Sequence, residues 1–177
     1  NILSAEEALE GAGHIIAEWI NERPDIRNLL RWHLGKQGLI TAKAIPAKKM
    51  EEKAQTYKDY FEFSEAVQRG PSHRLLAMLR AEKEGFIRVK LELDDEDKEK
   101  IEERIIKSNN ACSGQIALAI KDAYKRLLFP AISNEILQTA KEKADDTAIE
   151  VFSKNLRQLL LDAPLGEKNI LGIDPGF

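Results

Sequence analysis

Apolar residues recur at helical spacing through most of the chain. Ala8, Ala12, Ile15, Ile16, Trp19 and Ile20 form one stripe, and Ser4 followed by Glu7 makes a capping box ahead of it. A helix is predicted from there to about Asn21. Pro24 starts a second helix at its first turn, where a missing N–H is harmless. Its buried face is Ile26, Leu29, Leu30 and Leu34, and Gly35 is expected to end it. Residues 48–60 read as helix, beside an aromatic cluster of Tyr57, Tyr60, Phe61 and Phe63. Pro71-Ser72 opens another helix, with Leu75, Leu76, Met78 and Leu79 inward and Gly85 as its left-handed C-terminal residue. A helix follows Asp94 to about Ser108. Another starts at Ser113 or Gly114 and is expected to stop near Phe129, before Pro130. Ser133-Asn134-Glu135 then restarts a long helix to Asp162, about 30 residues or 45 Å.

Alternation with a period of two is clearest at 86–93, where Ile87, Val89, Leu91 and Leu93 alternate with Arg88, Lys90 and Glu92. Residues 39–45 read as a short strand, available to pair with 86–93, or as an extended linker closed by Pro46. Pro164 and Gly166 form a hinge, and Asn169 to Asp174 is a new strand, expected to lack its sheet neighbours in this segment and to be altered in conformation by that. The fold class is therefore mainly α, a multi-helical scaffold with a small β component. The expected core includes Ile15, Trp19, Leu30, Leu76, Leu79, Val89, Ile120, Leu127, Phe152 and Leu159.

Composition narrows the class. The 177 residues are 43% hydrophobic and 32% charged, with 10 Gly and 6 Pro, which excludes collagen, low-complexity disorder and a membrane protein. Apolar runs such as Ile116 to Ile120 are too short to span a bilayer. The single cysteine, Cys112, forms no internal disulfide, so a reducing cytoplasm is the expected compartment. With no His near it in sequence, Cys112 reads as a small residue at a helix approach. Asn1-Ile2-Leu3-Ser4 lacks the basic start and apolar stretch of a signal peptide. The chain reads as a fragment of a larger multidomain protein.

Charge is uneven. Residues 31–90 carry 13 basic and 7 acidic residues, net +6, while the flanking segments are acidic. A polyanion would be drawn only to this middle third. The candidate nucleic-acid-binding residues are His73, Arg74, Arg80, Lys83, Arg88 and Lys90. His73 and Arg74 sit at a helix start whose free N–H groups suit phosphate, and the other four extend a basic strip. The plainer alternative is a capped structural helix whose Arg74 pairs with a nearby acid. Asp94-Asp95-Glu96-Asp97 reads as acids complementing a helix dipole. His14, His33 and His73 fall in separate helices without metal-ligand spacing, and no phosphate loop follows a strand, so neither metal nor cofactor is expected. Asp174, at the end of a hydrophobic strand, is the type of residue that ligates metal in a two-metal nuclease. It would need further carboxylates from later strands.

Several blocks together resemble the Tex family of bacterial transcription accessory proteins. They are Ser4-Ala5-Glu6-Glu7-Ala8-Leu9, Asp59-Tyr60-Phe61-Glu62-Phe63-Ser64-Glu65, Pro71-Ser72-His73-Arg74, Glu82-Lys83-Glu84-Gly85, Tyr124-Lys125-Arg126-Leu127-Leu128 and Asn155-Leu156-Arg157-Gln158-Leu159-Leu160-Leu161. Ile170-Leu171-Gly172-Ile173-Asp174-Pro175-Gly176 is similar to the first strand of YqgF and RuvC-type domains. The resemblance implies a central helical region over residues 1–167 and the opening strand of a YqgF-type, ribonuclease H-like domain over 168–177. It also implies a role in transcription, with RNA or DNA, and the transcription machinery, as partners of the full-length protein. The family's main RNA-binding module would lie outside this segment. Where the family often has Arg-Gly, this chain has Arg80-Ala81, which favours continued helix. Asp174 matches the first carboxylate of the YqgF-type site, but one carboxylate supports no nuclease. A scaffold within a nucleic-acid-binding protein is the leading reading. A protein-docking helical module without nucleic-acid affinity comes second, and the start of a metal-dependent nuclease third.

Overall fold

The structure, a computed structural model, describes residues 4–108, 114–164 and 166–174; Cys112 lies outside them. The elements run α1 (Ala5–Glu22), α2 (Pro24–Gln37), β1 (Leu39–Ala44), α3 (Glu52–Gln55), β2 (Glu62–Ala66), α4 (Ser72–Lys83), β3 (Ile87–Glu92), α5 (Asp95–Ser108), α6 (Gly114–Asp122) and α7 (Phe129–Leu161). A π-helical segment, Ala123–Leu128, joins α6 to α7. The chain is mainly α, with a small three-stranded sheet.

Ser4 caps α1 as its sequence implies: its hydroxyl accepts the Glu7 N–H at 3.2 Å. The helix packs on α6 and the π segment, burying Ala17 and Ile20. Ile15 and Trp19, expected in the core, are instead 52% and 67% exposed. The apolar stripe of α1 is wider than the face its neighbours cover. Helix α2 continues through Gly35 to Gln37. The glycine that matters is Gly38, where a Cβ would lie 2.2 Å from the Leu34 carbonyl oxygen and 3.0 Å from Leu91 Cδ1. Only glycine lets the chain leave the helix so close to the sheet.

The sheet order is β2-β1-β3, antiparallel throughout. Residues 39–44 are thus the central strand rather than a linker. The expected helix over 48–60 is broken into the 3₁₀ turn Pro46–Lys48, the single turn α3 and the 3₁₀ turn Lys58–Tyr60. This segment has to turn the chain back so that β2 lies beside β1, and the Ala44 N–H bonds to the Phe61 carbonyl at 2.9 Å. Aromatic contacts hold the return, with Tyr60 edge-on to Phe63 and Tyr57 against Phe86.

Helix α4 ends as expected at Gly85, which has φ +80°. Gly85 N–H donates to the Glu82 carbonyl and Phe86 N–H to the Ala81 carbonyl, the paired bonds of a Schellman ending. At the start of α5, the Asp94 carboxylate accepts the Asp95 N–H at 2.8 Å, and Asp95 and Glu96 pair with Lys98 and Lys100. The acidic run therefore serves the helix end. Its hydrogen bond from Lys98 holds the Asp95 carboxyl below its ordinary range, as Lys100 does for Glu96.

Pro130 does not break the chain's course. It sits in the first turn of α7, directly after the π segment. A proline in a continuous α-helix lacks one N–H and clashes with the carbonyl four residues back. The wider π turn absorbs that mismatch. Helix α7 is 33 residues long, about 50 Å at 1.5 Å per residue. It packs on α2, α4 and β3. Arg31 clamps Glu135 across the α2–α7 contact through Nε at 2.5 Å and Nη2 at 3.0 Å. From Asp146 to Leu161 every residue is exposed. Phe152 and Leu159, expected in the core, are not in it. Leu30, Val89 and Ile120 are buried, and Leu76, Leu79 and Leu127 are half-buried against the same cluster. Asn169 to Asp174 pairs with no strand among the described residues and lies exposed, as a strand without its sheet neighbours would. A strand needs a neighbour for its N–H and C=O groups.

Candidate nucleic-acid interface

Pairing register decides which basic side chains share a surface. Ile40 and Ala42 of β1 lie beside Leu91 and Val89 of β3, and all four are buried in the core cluster that also takes Leu75, Met78 and Ala81 of α4. That face of the sheet is covered. Alternate residues point the other way, because successive strand side chains take opposite faces. The open face therefore carries one row of Glu62, Lys43 and Arg88, a second of Ser64, Thr41 and Lys90, and a third of Ala66, Leu39 and Glu92. Lys43, Arg88 and Lys90 are exposed.

Lys43 and Arg88 are direct cross-strand neighbours of like charge, an arrangement that disfavours the sheet. Glu62, on the other side of Lys43, offsets part of this. Two further ammonium groups sit where β1 leaves the sheet. Lys49 Nζ lies 5.8 Å from the Phe61 ring centre and Lys48 Nζ 6.0 Å from that of Phe86. Sequence reasoning singled out Arg88 and Lys90 but not Lys43, Lys48 or Lys49. For Lys43 the signal was present: once 39–44 is paired with 87–92, the polar phase of the first strand must join that of the second.

The four candidates on α4 belong elsewhere, because α4 packs on the covered side of the sheet. The six residues expected as one strip thus divide between two surfaces. Arg74 is exposed and donates to Glu65 Oε1 at 3.0 Å. Glu65 lies in register with buried Ile40, so this is the structural pairing that the plainer alternative described. Arg80 is engaged with Glu84 at 3.0 Å. That hydrogen bond, together with one from Tyr57, holds the Glu84 carboxyl below its ordinary range. Lys83 is exposed. His73 lines a groove of about 460 Å³ with Ser72, Leu76 and, from α7, Val151 and Phe152. Its surroundings are apolar, unlike a phosphate cradle.

Asp174 lies in the exposed segment after α7. Among the described residues, no group of three or more His, Cys, Asp or Glu side chains is placed to hold a metal ion. No described helix is long and apolar enough to cross a membrane.

Fold and surface together define a helical scaffold with one small sheet, whose open face sets Lys43, Arg88 and Lys90 among Glu62 and Glu92. The chain belongs to the Tex central region-like family, whose profile matches residues 1–152. It is 33% identical over 184 residues to the transcriptional accessory protein Tex of Neisseria gonorrhoeae, an alignment covering 100% of this chain and 24% of that protein. It is 42% identical over 178 residues to the protein YdcI of Bacillus subtilis, covering 99% of this chain and 25% of YdcI. It is also 28% identical over 181 residues to the human S1 RNA-binding domain-containing protein 1, covering 94% of this chain and 18% of the human protein. The chain thus spans about a quarter, or less, of the length of these relatives.

Proposed function

We propose that this chain is the central scaffold of a Tex-type transcription accessory protein in the cytoplasm, and that the open face of its sheet adds salt-sensitive contacts to RNA or DNA. In this reading residues 1–167 form the scaffold and 168–177 open a YqgF-type domain. The chain itself performs no catalysis. Partners in transcription engage the full-length protein. The family membership and the transcriptional accessory name of the gonococcal relative support the role. The name of the human relative favours RNA.

The observation that carries the nucleic-acid part is the like-charged pair Lys43 and Arg88, with Lys90 one step along the same face. Folding gains nothing from placing two cations opposite each other, whereas a phosphate backbone tracking across the sheet would neutralise both. The test is fluorescence anisotropy of labelled single-stranded RNA and duplex DNA across a salt series. Binding should weaken with salt and be largely lost in Lys43→Ala/Arg88→Ala/Lys90→Ala, while Arg74→Ala should bind as wild type. Absence of binding at low salt would sink the nucleic-acid part and leave a scaffold that docks protein. The exposed apolar second half of α7 favours that second reading.

A further inference from the structure

The distal half of α7 is amphipathic, and α4 borders its apolar face only along the His73–Phe152 groove. Ile149, Val151, Phe152, Leu156, Leu159 and Leu160 are 40–73% exposed. At 3.6 residues per turn they occupy about half the helix circumference. The other half carries Asp146, Glu150, Lys154, Arg157 and Gln158, with Lys154 paired to Glu150 one turn away, and Leu161 at the helix end. A helix that merely spans solvent is polar all round; a half-apolar one has a face made to be covered. The first half of α7 turns Ile132, Ile136, Ala140 and Ala144 toward the rest of the molecule. The distal apolar arc is rotated from that face by roughly a third of a turn. Of the helices that cover the first half, α4 reaches this arc only at the His73–Phe152 groove, which leaves most of it uncovered.

The segment after α7 constrains where a covering body sits. Asp162 to Lys168 are seven residues, which reach at most about 25 Å when extended, and Gly166 turns the chain with φ +71°. Ile170, Leu171 and Ile173 then lie 73%, 86% and 82% exposed, a second apolar run in need of cover. Any folded body that takes up Asn169–Asp174 is held beside the end of α7 by this tether. The short tether keeps the effective concentration of that body at the helix high. The relatives are long enough to supply it, since the chain spans about a quarter of them.

We infer that the distal apolar face of α7 is the docking surface for the folded body that begins at Asn169 in the longer polypeptide, with the His73–Phe152 groove as its near edge. The inference rests on the reading that residues 168–177 open a further domain, and not on nucleic-acid binding. The experiment compares three polypeptides: the 177-residue chain, the full-length protein, and a version that starts at Asn1 and continues to the natural C-terminus. Phe152→Cys, Leu159→Cys and Lys154→Cys are made singly in each. Maleimide labelling is followed peptide by peptide by mass spectrometry. Labelling at 152 and 159 should slow at least tenfold in both longer versions, while 154 stays as fast as in the 177-residue chain. Equal rates at 152 and 159 in the 177-residue chain and the full-length protein would overturn the inference. So would slowing that disappears when everything before Asn1 is removed. Hydrogen exchange of residues 169–174 in the full-length protein separates the two levels. Protection there without slowing at 152 and 159 keeps the domain and rejects the docking; no protection rejects both.

Discussion

At the level of single residues, burial rather than apolarity decides what a side chain contributes. Leu30 and Ile120 have no exposed surface. Truncating either to alanine removes transfer free energy and leaves a cavity, and should cost about 2–5 kcal/mol in urea unfolding. Phe152 is larger, yet 66% exposed; Phe152→Ala in the 177-residue chain should change stability by no more than about 0.5 kcal/mol. A loss of several kcal/mol there would mean that the distal helix is packed. Glu135 offers a pH test. Its hydrogen bond from Arg31 holds the carboxyl below its ordinary range. A carboxyl depressed in the folded state stabilises above its unfolded value, near 4.3, and loses that stabilisation as pH falls through the folded one. The melting temperature of wild type should therefore exceed that of Glu135→Gln at pH 7, and the gap should close below about pH 4. The gap will be modest, since the Glu135 side chain is 42% exposed and solvent screens the pair. A gap that widens in acid would contradict the assignment.

Elements add constraints that no residue carries alone. Strand β3 is an edge of the sheet, and the side facing away from β1 has unpaired backbone groups. One is met within the sequence-adjacent helix: the Val89 N–H donates to Glu82 Oε1 at 2.7 Å. Glu82→Ala leaves that part-buried donor unmet and should cost about 1–3 kcal/mol, with faster exchange of the Val89 amide. Glu82→Gln keeps an acceptor and should recover most of the loss. Local signals of this kind were legible in the chain. The Ser4 cap, the Gly85 ending, the acidic start of α5 and the alternation of 87–92 each lie within a few residues of the structure they specify. The missed features were set by distant partners. Glu62–Ala66 becomes a strand because β1 offers it a ladder, although its own alternation is short and half acidic. Pro130 predicts a break only if the preceding turn is α-helical, and the π turn removes that condition. The open face was half legible. Arg88 and Lys90 stand out in sequence, but Lys43 joins them only through pairing across more than forty residues.

For the whole molecule, the division of basic groups between two surfaces makes a quantitative demand on binding. Each phosphate neutralised by a cation releases counterions, so log K falls with log salt with a slope of about 0.7 per contact on a single strand. If Lys43, Arg88 and Lys90 act together on the open face, Lys43→Ala/Arg88→Ala/Lys90→Ala should flatten the slope by about 2 on single-stranded RNA. Arg74 and Arg80 lie on α4, on the covered side of the sheet, and already hold Glu65 and Glu84. Arg74→Ala/Arg80→Ala should leave the slope unchanged, although it removes two positive charges. A slope that falls equally in both variants would mean that net charge alone draws the polymer. In that case the sheet's strand register, which sets Lys43 beside Arg88, would have no part in recognition.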